Sequence, residues 1–207
     1  SAIEPFKTLV DPRISILMLA ALVYNYGYFT LLAYAPFPLA EASVRAGGQF
    51  TPLDLGLVFF GWGLMVSLGS VWLGPRSCEH LGIHRTVAVT LILFTIDEVL
   101  LATWISPIPQ VIGVIIGGLF IGIVNTAMTE IVMSASNIQR EVASSAYSGV
   151  RFLGGACAPT LAGALSSLGG VGGPYYVGAV TLALTIVLLW IDRQRRRRMT
   201  AHSVALE

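Results

Sequence analysis

Four ionisable residues fall inside long apolar runs: Asp97, Glu98, Glu130 and Arg151. A charge at the centre of a membrane span costs roughly 2.5–3.5 kcal/mol on insertion scales, so each needs a physical reason. Glu130 lies in "NTAMTEIVMS" and Arg151 opens "RFLGGACAPTLAG". The two can pair across successive spans, or each can contact another helix. In one reading Glu130 binds a proton or a substrate cation, its proton affinity set by burial and by Arg151. In the other they form a partly hydrated ion pair that ties two helix ends. Asp97 and Glu98 are neighbours in "LFTIDEVLLA". Adjacent helical residues point about 100° apart, so they do not face one cavity. One of them is expected to reach a polar partner on a neighbouring helix or to carry a proton. Asp97 is the secondary proton-coupling candidate, and Glu130 and Arg151 the main ones.

Uncharged polar groups suggest a binding surface. "YNYGYFTLLAYAPFP" sets Asn25 and Tyr28 three residues apart and Tyr24 four before Tyr28, beside Gly27. Such an aromatic and amide face suits an amphiphilic organic molecule, and aromatic faces also attract cations. Asn125 and Thr129 continue the Gly118 and Gly122 stripe and can line a water-filled cavity. Trp62 in "FFGWGLM" either packs on its neighbours or joins that surface.

These groups need elements that cross a membrane. The chain is 55% hydrophobic and 11% charged, less than half the charge of an average soluble domain at roughly 25%. Six transmembrane helices are expected: Ile14–Ala40, Leu53–Leu73, Thr86–Ile105, Gln110–Ser134, Ala143–Leu168 and Pro174–Ile191. "SPIPQ" and "SLGGVGGP" read as tight turns and "EASVRAGGQFTP" as a longer loop, with Thr51 and Asp54 capping the second helix. "DPR" at Asp11–Arg13 is expected to start the first helix. Lys7, Arg13, Arg76, Arg85, Arg140 and the tail "DRQRRRR" alternate with loops holding only Arg45. The positive-inside rule then places both termini in the cytoplasm, as an even number of spans requires. Residues 1–13 read as the end of a central cytoplasmic loop, 14–192 as the bundle and 193–207 as a basic tail.

Small residues mark helix contacts, because helices in lipid associate by close packing. The fourth span carries Gly113, Gly117, Gly118 and Gly122, and the fifth carries Ser144, Ser148, Arg151, Gly155, Ala158 and Ala162 on one face. Pro159 is expected to bend the fifth span. At this stretch the chain resembles the Gly-Pro motif in the eleventh helix of major facilitator superfamily transporters, especially the drug:proton antiporter branch. Gly154, Pro159 and Gly163 match that pattern, while Ala158 and Ala162 stand where it has glycine. "PRSCEHLGIHR" is similar, more loosely, to the family's cytoplasmic-loop motif: Gly82 matches, Glu79 stands for Asp and Arg85 follows the paired basic positions.

The resemblance implies an all-α integral membrane protein forming the C-terminal six-helix half of this fold, working by alternating access. It also implies an N-terminal six-helix partner, in the same protein or a separate chain; a protein that is natively this half is the alternative. The expected function is proton-coupled export of small amphiphilic compounds, in a bacterial inner membrane. A sugar or metabolite carrier of the same fold and a non-transporting scaffold subunit are the other readings. Partners are then lipid, the substrate and protons. No metal site, bound cofactor or nucleic-acid role is expected: the histidines His80, His84 and His202 lie outside the spans, and no His-Glu-x-x-His or phosphate-loop motif occurs.

Overall fold

The computed structural model describes residues 14–135 and 140–204, the side chains of 140, 141 and 198–204 excepted. The expected helix start at Asp11–Arg13 lies outside the described residues. Among those described there is helix and no strand: α1 Ser15–Tyr34, α2 Pro36–Arg45, α3 Pro52–Leu81, α4 Ile83–Thr103, α5 Pro107–Ala135, α6 Arg140–Gly169 and α7 Gly173–Val204. Six of these, all but the short α2, are long and apolar enough to cross a membrane.

Each departure from the expected boundaries has a local cause. The first span divides at Ala35, because Pro36 is accommodated at the opening of a new helix. Glu41–Arg45, expected as loop, completes α2 with a 3.0 Å salt bridge one turn apart. Thr51 and Asp54 form the expected N-terminal cap, each side chain closing on the other's backbone N–H at 3.3 and 2.9 Å.

The second span does not stop at Leu73. A π-helical turn at Gly69–Leu73 widens the ladder, and the helix runs on through Pro75 to Leu81. Pro75 has no N–H to donate to Ser70 in that widened register. The Thr126 hydroxyl of α5 approaches the Ser70 carbonyl at 3.4 Å instead. The expected loop over 75–85 is therefore one residue, Gly82, at φ 81° and ψ 145°. Only glycine adopts that conformation readily. The last helix likewise continues through the arginine run, so position 192 is not a structural boundary. Arg196 binds Asp192 at 2.7 Å within it.

Packing follows the small residues. α1 lies against α6 and α7, α4 against α5 and α7, and α3 against α5. A Cβ on Gly154 would overlap the Leu22 carbonyl of α1, and one on Gly155 the Phe29 ring. A Cβ on Gly122 would overlap the Val66 carbonyl and meet the Ser70 nitrogen at 2.9 Å. The buried face of α6 runs through Ala146, Val150, Gly154, Ala158 and Ala162, with Ser144 exposed. The small-residue face is thus rotated slightly from Ser144, Ser148 and Arg151. Pro159 and Gly163 point outward, and α6 remains one helix across Pro159.

Gly122→Val is expected to force α3 and α5 apart and to lower stability by about 1–3 kcal/mol, the usual range for overpacking. Thermal unfolding of the complete protein in detergent checks this, and an unchanged midpoint contradicts the backbone contact.

Candidate functional site

Arg151 is the centre of a polar network between three helices. Its Nη2 donates to Asn125 Oδ1 of α5 at 2.8 Å, and its Nε donates to Asn25 Oδ1 of α1 at 3.3 Å. The Tyr24 hydroxyl also donates to Asn125 Oδ1, at 3.3 Å. Asn25 is fully buried, and its own amide donates to the Ala21 carbonyl at 2.8 Å, which fixes its oxygen toward Arg151. The guanidinium lies 5.3 Å from the Tyr147 ring, one helical turn earlier on α6, within cation–π range. Tyr28 stacks on Tyr24 with centroids 6.4 Å apart.

The network opens onto a cavity of about 280 Å³ lined by Asn25, Tyr28, Phe29, Ser148, Arg151 and Phe152. Four of these carry amide, hydroxyl or guanidinium groups and three carry aromatic rings. An amphiphilic molecule can stack on the rings and receive hydrogen bonds from Arg151. The guanidinium meets neutral oxygens only, with no carboxylate bound to it among the described residues. A cation in that setting readily accepts an additional anionic or acceptor group.

The sequence candidates separate into groups. Asn25, Tyr28, Asn125 and Arg151 come together here. Glu130 does not join Arg151: it is exposed, and it faces Cys78 closely enough to act on it electrostatically. Five residues along a helix turn the side chain by about 140°, so Asn125 and Glu130 point apart. Thr129 is exposed and donates to the Asn125 carbonyl at 2.7 Å. Trp62 packs on Gly118 and edge-on to Phe59 at 6.4 Å, outside the cavity lining. Glu79, Gly82 and Arg85 lie together, exposed, at the α3–α4 turn, without an ion pair between Glu79 and Arg85 among the described residues.

Asp97 and Glu98 are both buried, at 8% and 0% exposure. They face different helices, as their spacing requires. The Asp97 carboxylate lies 3.1 Å from a Cβ placed on Gly113 and 3.3 Å from one on Gly117. A Cβ on Gly178 of α7 would overlap the Glu98 carboxylate. The polar partner expected for one of them is not present: Asp97 Oδ2 and both Glu98 oxygens have no hydrogen bond among the described residues. Three lining or facing residues went unnoticed in the sequence, Phe29, Phe152 and Tyr147. Tyr147 carried a usable signal, since it sits four residues before Arg151.

A family model for the Major Facilitator Superfamily matches residues 8–205. The chain belongs to the major facilitator superfamily. It is similar to the multidrug efflux protein YfmO of Bacillus subtilis (strain 168), 36% identical over 192 residues. That match covers 92% of this chain and 46% of the relative, so the chain spans about half the length of the curated protein it matches. This is an integral membrane protein of a transporter family and not an enzyme.

In this half of the superfamily fold Arg151 couples α6 to α1 and α5. A double-mutant cycle of Arg151→Gln and Asn125→Ala in the complete protein is expected to show a coupling of about 0.5–3 kcal/mol, the range for residues sharing one network. Denaturant unfolding in detergent measures it, and additive effects would remove the network.

Proposed function

We propose that the chain is the C-terminal half of a secondary active transporter, working by alternating access to export small amphiphilic compounds in exchange for protons. The observation that carries this is the cavity at Arg151, where three helices bring amide, hydroxyl, guanidinium and aromatic groups to one space. Membership of the superfamily and the name of the Bacillus relative support the efflux reading.

The expected partner is an N-terminal six-helix bundle. Two helices have the least cover: 11% of the apolar stretch of α3 is buried and 22% of that of α6, against 56% for α1 and α5. Leu53, Leu57, Phe60 and Leu64 form an exposed stripe on α3 at helical spacing, and Phe152 and Leu153 are exposed on α6 beside the cavity. A second bundle against α3 and α6 would enclose the site, and lipid would cover the rest. Both termini are assigned to the cytoplasm, where the arginines of α7 would hold the topology beside anionic lipid. The bacterial plasma membrane is the corresponding location.

Liposomes containing the complete protein and a pH-sensitive dye test the function. The expected result is proton movement on adding ethidium or norfloxacin, a cationic and a zwitterionic aromatic probe. Arg151→Gln is expected to reduce the norfloxacin response about tenfold or more, from loss of a charged hydrogen bond of roughly 1.5–3 kcal/mol. Sugar uptake with no response to either probe would favour a sugar carrier, and no flux of any of them a scaffold subunit.

A further inference from the structure

The second polar cluster of the bundle is not absorbed by the Arg151 cavity. Glu98 is fully buried and neither carboxylate oxygen has a hydrogen-bond partner among the described residues. Two more buried oxygens nearby are in the same condition. The Tyr175 hydroxyl of α7 and the Tyr26 hydroxyl of α1 make no hydrogen bond among the described residues, at 0% and 8% residue exposure; Tyr175 lies one turn from Gly178, which seats Glu98, and Tyr26 adjoins Gly27, which packs against Gly178. Tyr34 of α1 stands next to Tyr175, with ring centroids 5.6 Å apart. The remaining titratable neighbour is Asp97 on the same helix, which α5 faces with Gly113 and Gly117 and no charged group. No basic side chain is paired with either acid among the described residues.

Two adjacent carboxylates cannot both remain ionised in an apolar interior without a counter-charge or donors, since burying an unpaired charge is costly. Something must neutralise them. Gly178, Gly113 and Gly117 leave the acids just enough room for their own oxygens, because a Cβ at any of these positions would crowd or overlap them. A bare proton fits such a space, and a hydrated ion does not.

Asp97 also reaches the outside of the bundle, as the one acidic residue in an otherwise apolar cleft. Asp97 forms part of a cleft of about 290 Å³ with Leu100, Trp104, Ile108 and Ile112. Trp104 and Ile108 are 61% and 71% exposed and flank the α4–α5 turn, at the bundle end remote from the arginines of α7. Asp97 is therefore the outward-facing member and Glu98 the enclosed one.

We propose that Asp97 and Glu98 form a proton-binding site, separate from the Arg151 cavity and loaded through the cleft at the α4–α5 turn. One proton stays within the pair, so the two acids are never both ionised; a second bonds to the remaining carboxylate oxygen when the site loads and leaves to water at the mouth of the cleft, with no other bond made or broken. The proton site deepens the exchange reading above by naming where the proton binds, yet its occupancy is measurable without transport.

The test is infrared difference spectroscopy of the complete protein, taken between mildly acidic and mildly alkaline buffer without any drug. The wild type is expected to show a protonated-carboxyl band that titrates over that interval. Asp97→Asn and Glu98→Gln are each expected to diminish it, and the double variant to lose it. In liposomes the double variant is expected to lose the pH dependence of ethidium export. Absence of a titrating band in the wild type, which needs no variant to fold, overturns the proposal. So does a band that survives in a folded double variant. A protein that shows the band, loses it in the double variant and moves neither ethidium nor norfloxacin supports the proton site while removing the export reading.

Discussion

Backbone-to-helix approach at glycine is the constraint on which this bundle depends. Lipid is as apolar as leucine, so apolar area alone does not hold helices together there. Close packing must do it, and close packing needs positions without a side chain. Gly154 brings α6 onto the backbone of α1, Gly122 brings α5 onto α3, and Gly172 leaves no room for a Cβ beside the Ala102 carbonyl at the end of α4. The helices with such contacts bracket the polar groups. Arg151 can reach α1 and α5 together only because Gly154, one turn away, has already closed the gap to α1.

Two polar centres result, and they obey different rules. In the Arg151 network both oxygens that face the guanidinium belong to neutral amides, and that of Asn25 is held in place by its bond to the Ala21 carbonyl. Such a site is poised to receive an acceptor group. The Asp97 and Glu98 cluster is unsatisfied, with Glu98 enclosed and with tyrosine hydroxyls beside it that also lack hydrogen bonds among the described residues. Unsatisfied buried groups are expensive and uncommon, and they call for a specific reason. Separating a substrate-facing surface from a proton-facing one lets a carrier bind the two ligands through different helices. α5 contributes to both, through Asn125 on one side and Gly113 and Gly117 on the other. A shift of α5 would therefore be felt at both places.

Much of this is legible in the sequence alone. Hydropathy and the basic residues outlined six spans, because the requirement for an apolar stretch of bilayer length is strict. The Thr51 and Asp54 cap was readable, since it depends on local spacing alone. Asn25, Tyr28, Asn125 and Arg151 could be singled out as polar residues in apolar helices. Their mutual bonds could not, because sequence does not reveal which faces of distant helices meet. Helical continuity through Pro75 was hidden for the same reason: it depends on a π turn and on the Thr126 hydroxyl from another helix. The pairing of Glu130 with Arg151 was a fair inference from proximity in the chain, and the rotation of α5 between 125 and 130 separates them. In the sequence, glycine marks helix contact. At Gly113, Gly117 and Gly178 it also seats a carboxylate, which only the packing reveals.

The Arg151 cavity is the proposed cargo site of the complete transporter. Ser148 lines that cavity and bears no hydrogen bond to the network, so it can carry a reporter. With Cys78 and Cys157 replaced, a Ser148→Cys variant of the complete protein can be labelled in native membranes by a small, membrane-impermeant thiol reagent. With cargo held there, labelling from the aqueous phase is expected to slow in the presence of norfloxacin, and to slow less when Arg151 is also changed to Gln. Labelling that is absent, or that proceeds at the same rate with and without norfloxacin and ethidium, would contradict it.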